Sequence, residues 1–93
     1  MKIIQSSSFE KRCKTFNLQE KRALDGQIRK IASDATVGQE KKGDLRGIYV
    51  HKFKVKTVQY LLAYRFAGDD LELIMIGPRE NYYRDLKTYL RDR

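Results

Sequence analysis

The sequence predicts an α+β fold of two layers, in which an N-terminal strand and a helical hairpin pack on an antiparallel β-sheet. Two helix-start signals in the first half of the chain are each followed by apolar residues at helical spacing. The second half contains three runs in which apolar and polar residues alternate, and short turns join them. Neighbouring strands should therefore pair antiparallel, and the helices should cover one face of the sheet. A chain of 93 residues has room for a single domain, residues 1–93.

The first half of the chain reads as a strand and two helices. The segment 2–5 is short and contains the β-branched Ile3 and Ile4, which predicts a strand, and the serines after it end the strand. Ser7 and Glu10 have the spacing of a capping box, which predicts a helix of about three turns. The apolar residues that share one face of this helix are Phe9, Cys13 and Phe16. Asn17 and Glu20 repeat the capping signal, and a second apolar stripe follows at Leu24, Ile28 and Ile31.

The second half reads as three strands and a short C-terminal helix. Gly38 and Gly43 bracket a polar connection that breaks the helical pattern. The alternating runs are residues 48–55, 60–66 and 71–76. Helical spacing returns through Leu86 and Leu90. Because the helical hairpin covers one face of the sheet, we expect the other face to be open and to present lysines.

Positive charge is concentrated in one part of the chain. Lys and Arg number 20 against 12 Asp and Glu, which gives a formal net charge of +8. Between Lys41 and Arg65 the basic residues face a single acidic residue, Asp44. Such a cluster suits a polyanion, although a solvated sheet face or a surface for an acidic protein would carry the same charges. Composition therefore favours a nucleic acid as partner and leaves the other interpretations open.

The sequence gives no indication of a cofactor or metal. One cysteine excludes an internal disulfide and a multi-cysteine zinc site, and the single histidine does not supply a metal site. We interpret Cys13 as a packing residue, since Phe9 and Phe16 flank it at helical spacing. Nothing near the N-terminus has the apolar length of a signal peptide or a membrane span, so we expect a cytoplasmic protein with no membrane partner.

The candidate site residues lie on the lysine-bearing strand and in the tail. Lys52 and Lys54 alternate with His51, which we interpret as a histidine on the core side, with a general base as the alternative. In the tail, Arg79 can bond two phosphate oxygens at once. Of Tyr82 and Tyr83 we expect one to be exposed, where it offers a stacking face and a phenol oxygen. Tyr60 and Tyr64 fit the core instead.

Three segments follow the helical hairpin in a fixed order: Lys52-Phe53-Lys54, then Gln59-Tyr60-Leu61-Leu62-Ala63-Tyr64-Arg65-Phe66, then Ile76-Gly77-Pro78-Arg79-Glu80-Asn81. In this order, and in a chain of this length, they resemble the RelE/ParE superfamily of bacterial type II toxins. The resemblance covers essentially the whole chain. It implies a toxin that a cognate antitoxin neutralises by covering or distorting its active surface, and a toxin–antitoxin heterotetramer is one assembly consistent with it.

The resemblance leaves two activities open. RelE-like members enter the ribosomal A site and cleave mRNA, whereas ParE-like members poison DNA gyrase. The short helical hairpin and the Lys-x-Lys strand look more like the RelE branch, in which lysines at the places of Lys52 and Lys54 and an arginine at the place of Arg79 line the cleavage groove. Leu61 departs from that branch, because RelE-like toxins usually carry an arginine at this place.

The leading hypothesis is therefore a metal-independent, ribosome-dependent mRNA endonuclease that uses the substrate 2′-hydroxyl as nucleophile. The residues assigned to catalysis are Lys52, Lys54, Arg79, Tyr82 and Tyr83, and those assigned to RNA binding are Arg46, Lys56, Arg65 and Arg84. The partners are then the antitoxin, the ribosome and mRNA. The alternatives are a gyrase inhibitor, which Leu61 favours, and an RNA-binding module without catalysis.

Overall fold

The computed structural model describes residues 1–92 and confirms the α+β class. The helices are α1 (Ser7–Cys13), α2 (Leu18–Ser33) and α3 (Tyr82–Arg91). The strands are β1 (Ile3–Gln5), β2 (Gln39–Glu40), β3 (Tyr49–Val55), β4 (Val58–Ala67) and β5 (Asp70–Pro78). Within this part of the chain they form one sheet in the order β1-β5-β4-β3-β2. The pairs β3–β4 and β4–β5 are antiparallel, as predicted. Strand β2, which lies in the predicted polar connection, pairs antiparallel with β3, and β1 joins β5 in parallel, so the sheet is mixed.

Both helices of the hairpin begin at capping residues. The cap of α1 is Ser6 rather than Ser7, because the Ser6 hydroxyl accepts a hydrogen bond from the Phe9 N–H at 3.0 Å. At α2 the structure confirms the capping box between Asn17 and Glu20, with reciprocal hydrogen bonds of 2.8 and 2.9 Å. Helix α1 ends at Cys13, earlier than predicted, and the connection between the helices therefore carries Phe16 into the core.

The main core lies between the helical hairpin and one face of the sheet. Its buried members are Phe9, Phe16, Leu24, Ile31, Phe53, Val55, Tyr60, Leu62, Tyr64, Leu71, Leu73 and Ile76. Two polar contacts also fasten α2 to the sheet. The Tyr60 hydroxyl donates to a Glu20 carboxylate oxygen at 2.6 Å, and His51 Nε2 lies 2.6 Å from Gln27 Oε1. The predicted core positions of Tyr60 and Tyr64 are confirmed.

The second face of the sheet is not left open, and here the prediction was wrong. Helix α3 folds back onto this face, where Tyr82 and Leu86 are buried. The cluster beneath and beside α3 consists of Leu45, Ile48, Val50, Leu61, Ala63, Ile74, Tyr82 and Leu86. Burial of this apolar area stabilises the fold by about 25 cal/mol per Å². The part of the face that stays exposed is the part that carries charged side chains. Lys52 and Lys54 are the exposed β3 side chains on it.

Candidate nucleic-acid interface

Lys52 and Lys54 project from β3 on the face that carries α3. Burial alternates along the strand, so that both lysines are exposed while Phe53 and Val55 are buried on the hairpin side. Lys52 lies opposite Leu61 of β4, and Lys54 lies opposite Gln59. Among residues 1–92 no carboxylate lies within ion-pair distance of either ammonium group. Both charges are therefore available to an anionic ligand.

Arg79 follows the end of β5, at the same end of the sheet as Lys54. The last paired residue of β5, Pro78, lies opposite Tyr60, and Arg79 follows it as an exposed residue. Phe53, Tyr60 and Pro78 form one cross-strand row, and Lys54 and Arg79 are the residues that follow Phe53 and Pro78. At a strand spacing of about 4.8 Å, the backbones at Phe53 and Pro78 are about 10 Å apart. The long side chains of Lys54 and Arg79 can converge on one phosphodiester group across that gap.

Tyr82 is not available to a ligand. Its side chain is buried, its hydroxyl donates to the Met75 carbonyl at 2.6 Å, and burial raises its pKa well above the ordinary tyrosine value. The ring packs over Gly77, where a Cβ would lie in ordinary van der Waals contact with Tyr82 Cδ1, at 3.7 Å. The structure thus removes Tyr82 from the set of catalytic candidates and makes it the residue that anchors α3.

Tyr83 is the accessible member of the pair. It is half-buried, packs beside the α3 cluster and meets Tyr82 edge to face, with ring centroids 5.6 Å apart. The Nζ atom of Lys41 lies 5.1 Å from the centroid of the Tyr83 ring. Lys41 belongs to the basic cluster seen in the sequence, but no local pattern marks it as a site residue, because its contact with Tyr83 depends on where α3 packs.

Leu61 changes the centre of the candidate site. It is fully buried in the cluster under α3 and lies in one cross-strand row with Lys52 and Gly77. In the related toxins that the sequence resembles, an arginine usually stands at this place. Here an apolar floor, which Tyr82 covers, separates Lys52 from the β5 end of the face. The cations of this site therefore lie around an apolar centre.

Two of the arginines assigned to RNA binding form ion pairs. Arg65 Nε lies 2.9 Å from Glu72 Oε1, and Arg65 sits four residues beyond Leu61 on β4, away from the lysine pair. Arg84 Nε lies 3.5 Å from Asp85 Oδ1, with both side chains largely in solvent, where an ion pair contributes little. Arg65 thus lies four residues along β4 from the row that contains Lys52, and the ion pair of Arg84 lies within α3.

Arg46 and Lys56 occupy two different edges of the molecule. Arg46 is exposed in the connection before β3 and lines a groove of about 430 Å³ together with Asp44 and Arg65. Lys56 is exposed at the tip of the β3–β4 hairpin, and its backbone has a φ of 56°, which residues other than glycine rarely adopt. Lys56 lies near enough to Glu20 to help lower the pKa of that carboxyl, although the hydrogen bond from Tyr60 is the largest cause.

The remaining candidates for chemistry face the core. Burial raises the pKa of the Cys13 thiol to about 11, which agrees with its interpretation as a packing residue. Burial lowers the pKa of His51, whose ring contacts Gln27 on the hairpin side of the sheet, away from Lys52. Within residues 1–92 no group of three or more His, Cys, Asp or Glu side chains could hold a metal ion. None of the helices in the same range is long and apolar enough to span a membrane.

A larger groove, which the sequence did not indicate, lies on the other side of α3. It has a volume of about 690 Å³, and residues of α1, the end of β5 and α3 line it. Lys11 and Arg12 stand on the α1 wall, and Asp85 and Tyr89 stand on the α3 wall. Neither Lys52, Lys54 nor Arg79 lines this groove, so these three cations and the groove are separate features.

Comparisons with known proteins agree with this architecture. The family model of the ParE-like toxin of type II bacterial toxin–antitoxin systems matches residues 3–87. The structure of the YoeB/ParE toxin from Agrobacterium tumefaciens aligns with a TM-score of 0.67 and 20% identity, over 85% of this chain and 99% of that one. The conserved hypothetical protein HP0894 from Helicobacter pylori aligns with a TM-score of 0.48 and 19% identity, over 85% and 94% of the two chains. No curated protein sequence matches the chain.

Proposed function

Since the chain belongs to the family of ParE-like toxins of type II bacterial toxin–antitoxin systems, we propose that it is a ribosome-dependent mRNA endonuclease. Family membership implies a cognate antitoxin as partner. It is common to the RNA-cleaving and the gyrase-inhibiting activities, so the choice between them rests on the site. Action on translated mRNA would place the protein in the cytoplasm with the ribosome as a further partner.

One observation carries the proposal: Lys52 and Lys54 project from one face of β3, and Arg79 directly follows Pro78, which shares a cross-strand row with Phe53; none of the three has an acidic partner among residues 1–92. Cleavage of a phosphodiester requires several positive charges around one phosphate, held in place before the reaction. Strand β3 holds the two lysines, and Arg79 follows Pro78, the last residue of β5. An inhibitor that only binds a protein surface has no comparable need for convergent cations.

In the proposed reaction the 2′-hydroxyl of the mRNA attacks the adjacent phosphorus and the bond to the 5′-oxygen breaks. The products are a 2′,3′-cyclic phosphate and a 5′-hydroxyl. One proton leaves the attacking oxygen and one proton joins the leaving oxygen, so the step is balanced without a redox partner. Lys52 and Lys54 hold the phosphate and assist the proton transfers, and Arg79 bonds two phosphate oxygens as negative charge develops. Tyr83 stacks on a neighbouring base.

A second candidate function, inhibition of DNA gyrase, is favoured by Leu61. The removal of one transition-state stabiliser typically costs about 10²–10³ in kcat. With a buried leucine where the resembled RNA-cleaving toxins usually have arginine, the remaining cations must do without that contribution. Arg65, four residues further along β4, does not replace it, because about 13 Å of strand separates the two positions and Glu72 pairs with Arg65.

Two assays on the same preparation separate the candidates. Primer extension on an mRNA in a translating extract should show new 5′ ends inside the reading frame after the protein is added. The same mRNA without a start codon should stay intact, because cleavage requires the ribosome. A gyrase supercoiling assay should show no inhibition at the same protein concentration. Inhibition of gyrase with intact mRNA would reject the nuclease proposal in favour of the second candidate.

A further inference from the structure

We propose that Lys41 and Tyr83 together form a second nucleotide-binding subsite, in which Tyr83 stacks on an RNA base and Lys41 binds the phosphate beside it. The subsite rests on the proposed action on RNA and adds Lys41 to the residues that position the substrate. It lies on the same face of the sheet as Lys52 and Lys54, next to the residue that precedes β3, Ile48.

The contact between Lys41 and Tyr83 is the first observation. The Nζ atom lies 5.1 Å from the ring centroid, within the range of about 6 Å at which a cation is attracted to an aromatic face. A lysine ammonium sits on a flexible stem, whereas the Tyr83 ring is held against the α3 cluster. A base can therefore take the place of the ammonium on the ring, and the ammonium can move to the phosphate of the same nucleotide.

The backbone of Lys41 is held by hydrogen bonds, while its ammonium group has no carboxylate partner in the described residues, 1–92. Its N–H donates to the Ile48 carbonyl at 2.8 Å, and a β-bridge joins it to Arg46. The polar contact of Nζ is with the neutral Gln39 side chain, at 3.4 Å. The neighbouring acid, Glu40, instead accepts from the Tyr49 hydroxyl at 3.4 Å. Among residues 1–92 no carboxylate lies within ion-pair distance of Lys41.

The register places this pair in line with the lysines of β3. Gln39 lies opposite Val50, and alternation puts Gln39, Lys41 and Lys52 on the same face. Lys41 is level with Ile48, four residues before Lys52, which is about 13 Å along the strand. A single-stranded RNA that follows β3 from Lys54 toward its start thus meets the reacting cations first and the Lys41–Tyr83 subsite next.

Titration of a short fluorescent single-stranded RNA with purified protein, followed by anisotropy at several salt concentrations, tests the subsite. Lys41→Ala should weaken binding at least about fivefold and reduce the salt slope by about one. Lys42→Ala is the matched control, since Lys42 is the next residue, is exposed and does not cover Tyr83; its Kd should stay within about twofold of wild type. Tyr83→Phe should bind as wild type, and Tyr83→Leu should lose at least about fivefold.

A packing role for the pair gives a different pattern. If Lys41 only fastens α3, then Lys41→Ala lowers the melting temperature and leaves the Kd and the salt slope unchanged below that temperature. The double variant Lys41→Ala/Tyr83→Leu should lose less than the product of the two single losses if both groups bind one nucleotide. Wild-type RNA affinity in Lys41→Ala, an equal loss in Lys42→Ala, or no RNA binding by the wild type would overturn the subsite.

A separate measurement of mRNA cleavage distinguishes failure of the Lys41–Tyr83 subsite from failure of the proposed nuclease function. Cleavage by the wild type together with unchanged RNA binding in Lys41→Ala rejects the subsite and retains the nuclease. RNA binding that depends on Lys41 and Tyr83, without any cleavage, retains the subsite and rejects the nuclease.

Discussion

The backbone N–H of Gly38 donates a hydrogen bond to the hydroxyl of Tyr64 at 2.9 Å, and the same hydroxyl donates to the Ala35 carbonyl at 2.7 Å. Tyr64 is fully buried at the centre of the sheet, so one phenol ties the connection after α2 to β4. A Cβ at Gly38 would lie 2.5 Å from that hydroxyl, which excludes a larger residue without a shift. Because β2 and Lys41 follow directly, this tie also fixes the edge from which Lys41 reaches Tyr83.

Tyr64→Phe should lower the free energy of unfolding by about 1–3 kcal/mol, because it removes the partner of two half-buried backbone groups, the Gly38 N–H and the Ala35 carbonyl. Tyr49→Phe is the matched control, since the Tyr49 hydroxyl contacts an exposed Glu40 at 3.4 Å, and its effect should stay within about 0.5 kcal/mol. Urea unfolding of both variants measures the difference. Equal effects would mean that the Tyr64 tie does not stabilise the fold.

His51 should make stability depend on pH in a narrow window. Burial lowers its pKa in the folded protein, the nearby charge of Lys30 lowers it further, and a hydrogen bond with the Val37 carbonyl opposes them. As the pH falls below about 6.5, the unfolded chain binds a proton that the folded chain does not yet bind, so stability decreases until the pH passes the folded pKa. His51→Gln should flatten this decrease in urea titrations between about pH 8 and 5. Parallel curves for the two proteins would contradict the assignment.

Leu61→Arg, which introduces the arginine that RNA-cleaving relatives usually carry, should destabilise this protein rather than improve it. Leu61 is fully buried under Tyr82 and Leu86, and an unpaired guanidinium there would cost about 3 kcal/mol or more. Val58→Arg, at an exposed position of the same strand, is the control and should change the free energy of unfolding by less than about 0.5 kcal/mol. A stable Leu61→Arg protein with enhanced cleavage would contradict this prediction and would show that α3 can move away from the sheet to make room for the arginine.

The fold was predictable wherever a local pattern is sufficient to determine it. Asn17 and Glu20 form the capping box that their spacing indicates, and alternation along β3 separates the exposed lysines from the buried Phe53. The docking of α3 was not predictable, because an apolar stripe through Leu86 shows that a helix has a buried face but not which surface covers it. Pairing of β1 with β5 joins opposite ends of the chain and likewise has no local signal.

The candidate site was predictable to the same extent. Strand alternation correctly exposes Lys52 and Lys54, since the side-chain direction in a strand follows from sequence parity alone. Which of Tyr82 and Tyr83 is exposed depends on the rotation of α3 about its own axis on the sheet, and the local sequence does not determine this rotation. The contact of Lys41 with Tyr83 brings together the region around β2 and the start of α3, which only the assembled sheet makes neighbours.

Replacement of single lysines should change the salt dependence of RNA binding. Lys52→Ala and Lys54→Ala should each reduce the slope of log affinity against log salt by about one, because each loses one phosphate contact. Lys21→Ala, an exposed lysine on α2 at the opposite side of the sheet, is the control and should keep the wild-type slope. Identical slopes in all four proteins would mean that the lysine face only interacts with solvent.

The central claim is tested most directly by the cleavage rate of Arg79→Ala on mRNA in translating ribosomes. We predict a loss of at least about a hundredfold, the scale of one lost transition-state stabiliser, with little change in melting temperature because Arg79 is exposed. Arg79→Lys should recover only part of the rate, since lysine offers a point charge instead of a two-pronged contact. Arg22→Ala, an exposed arginine of α2, should cleave like the wild type. Cleavage by Arg79→Ala at the wild-type rate, or a loss explained by unfolding, would contradict the account.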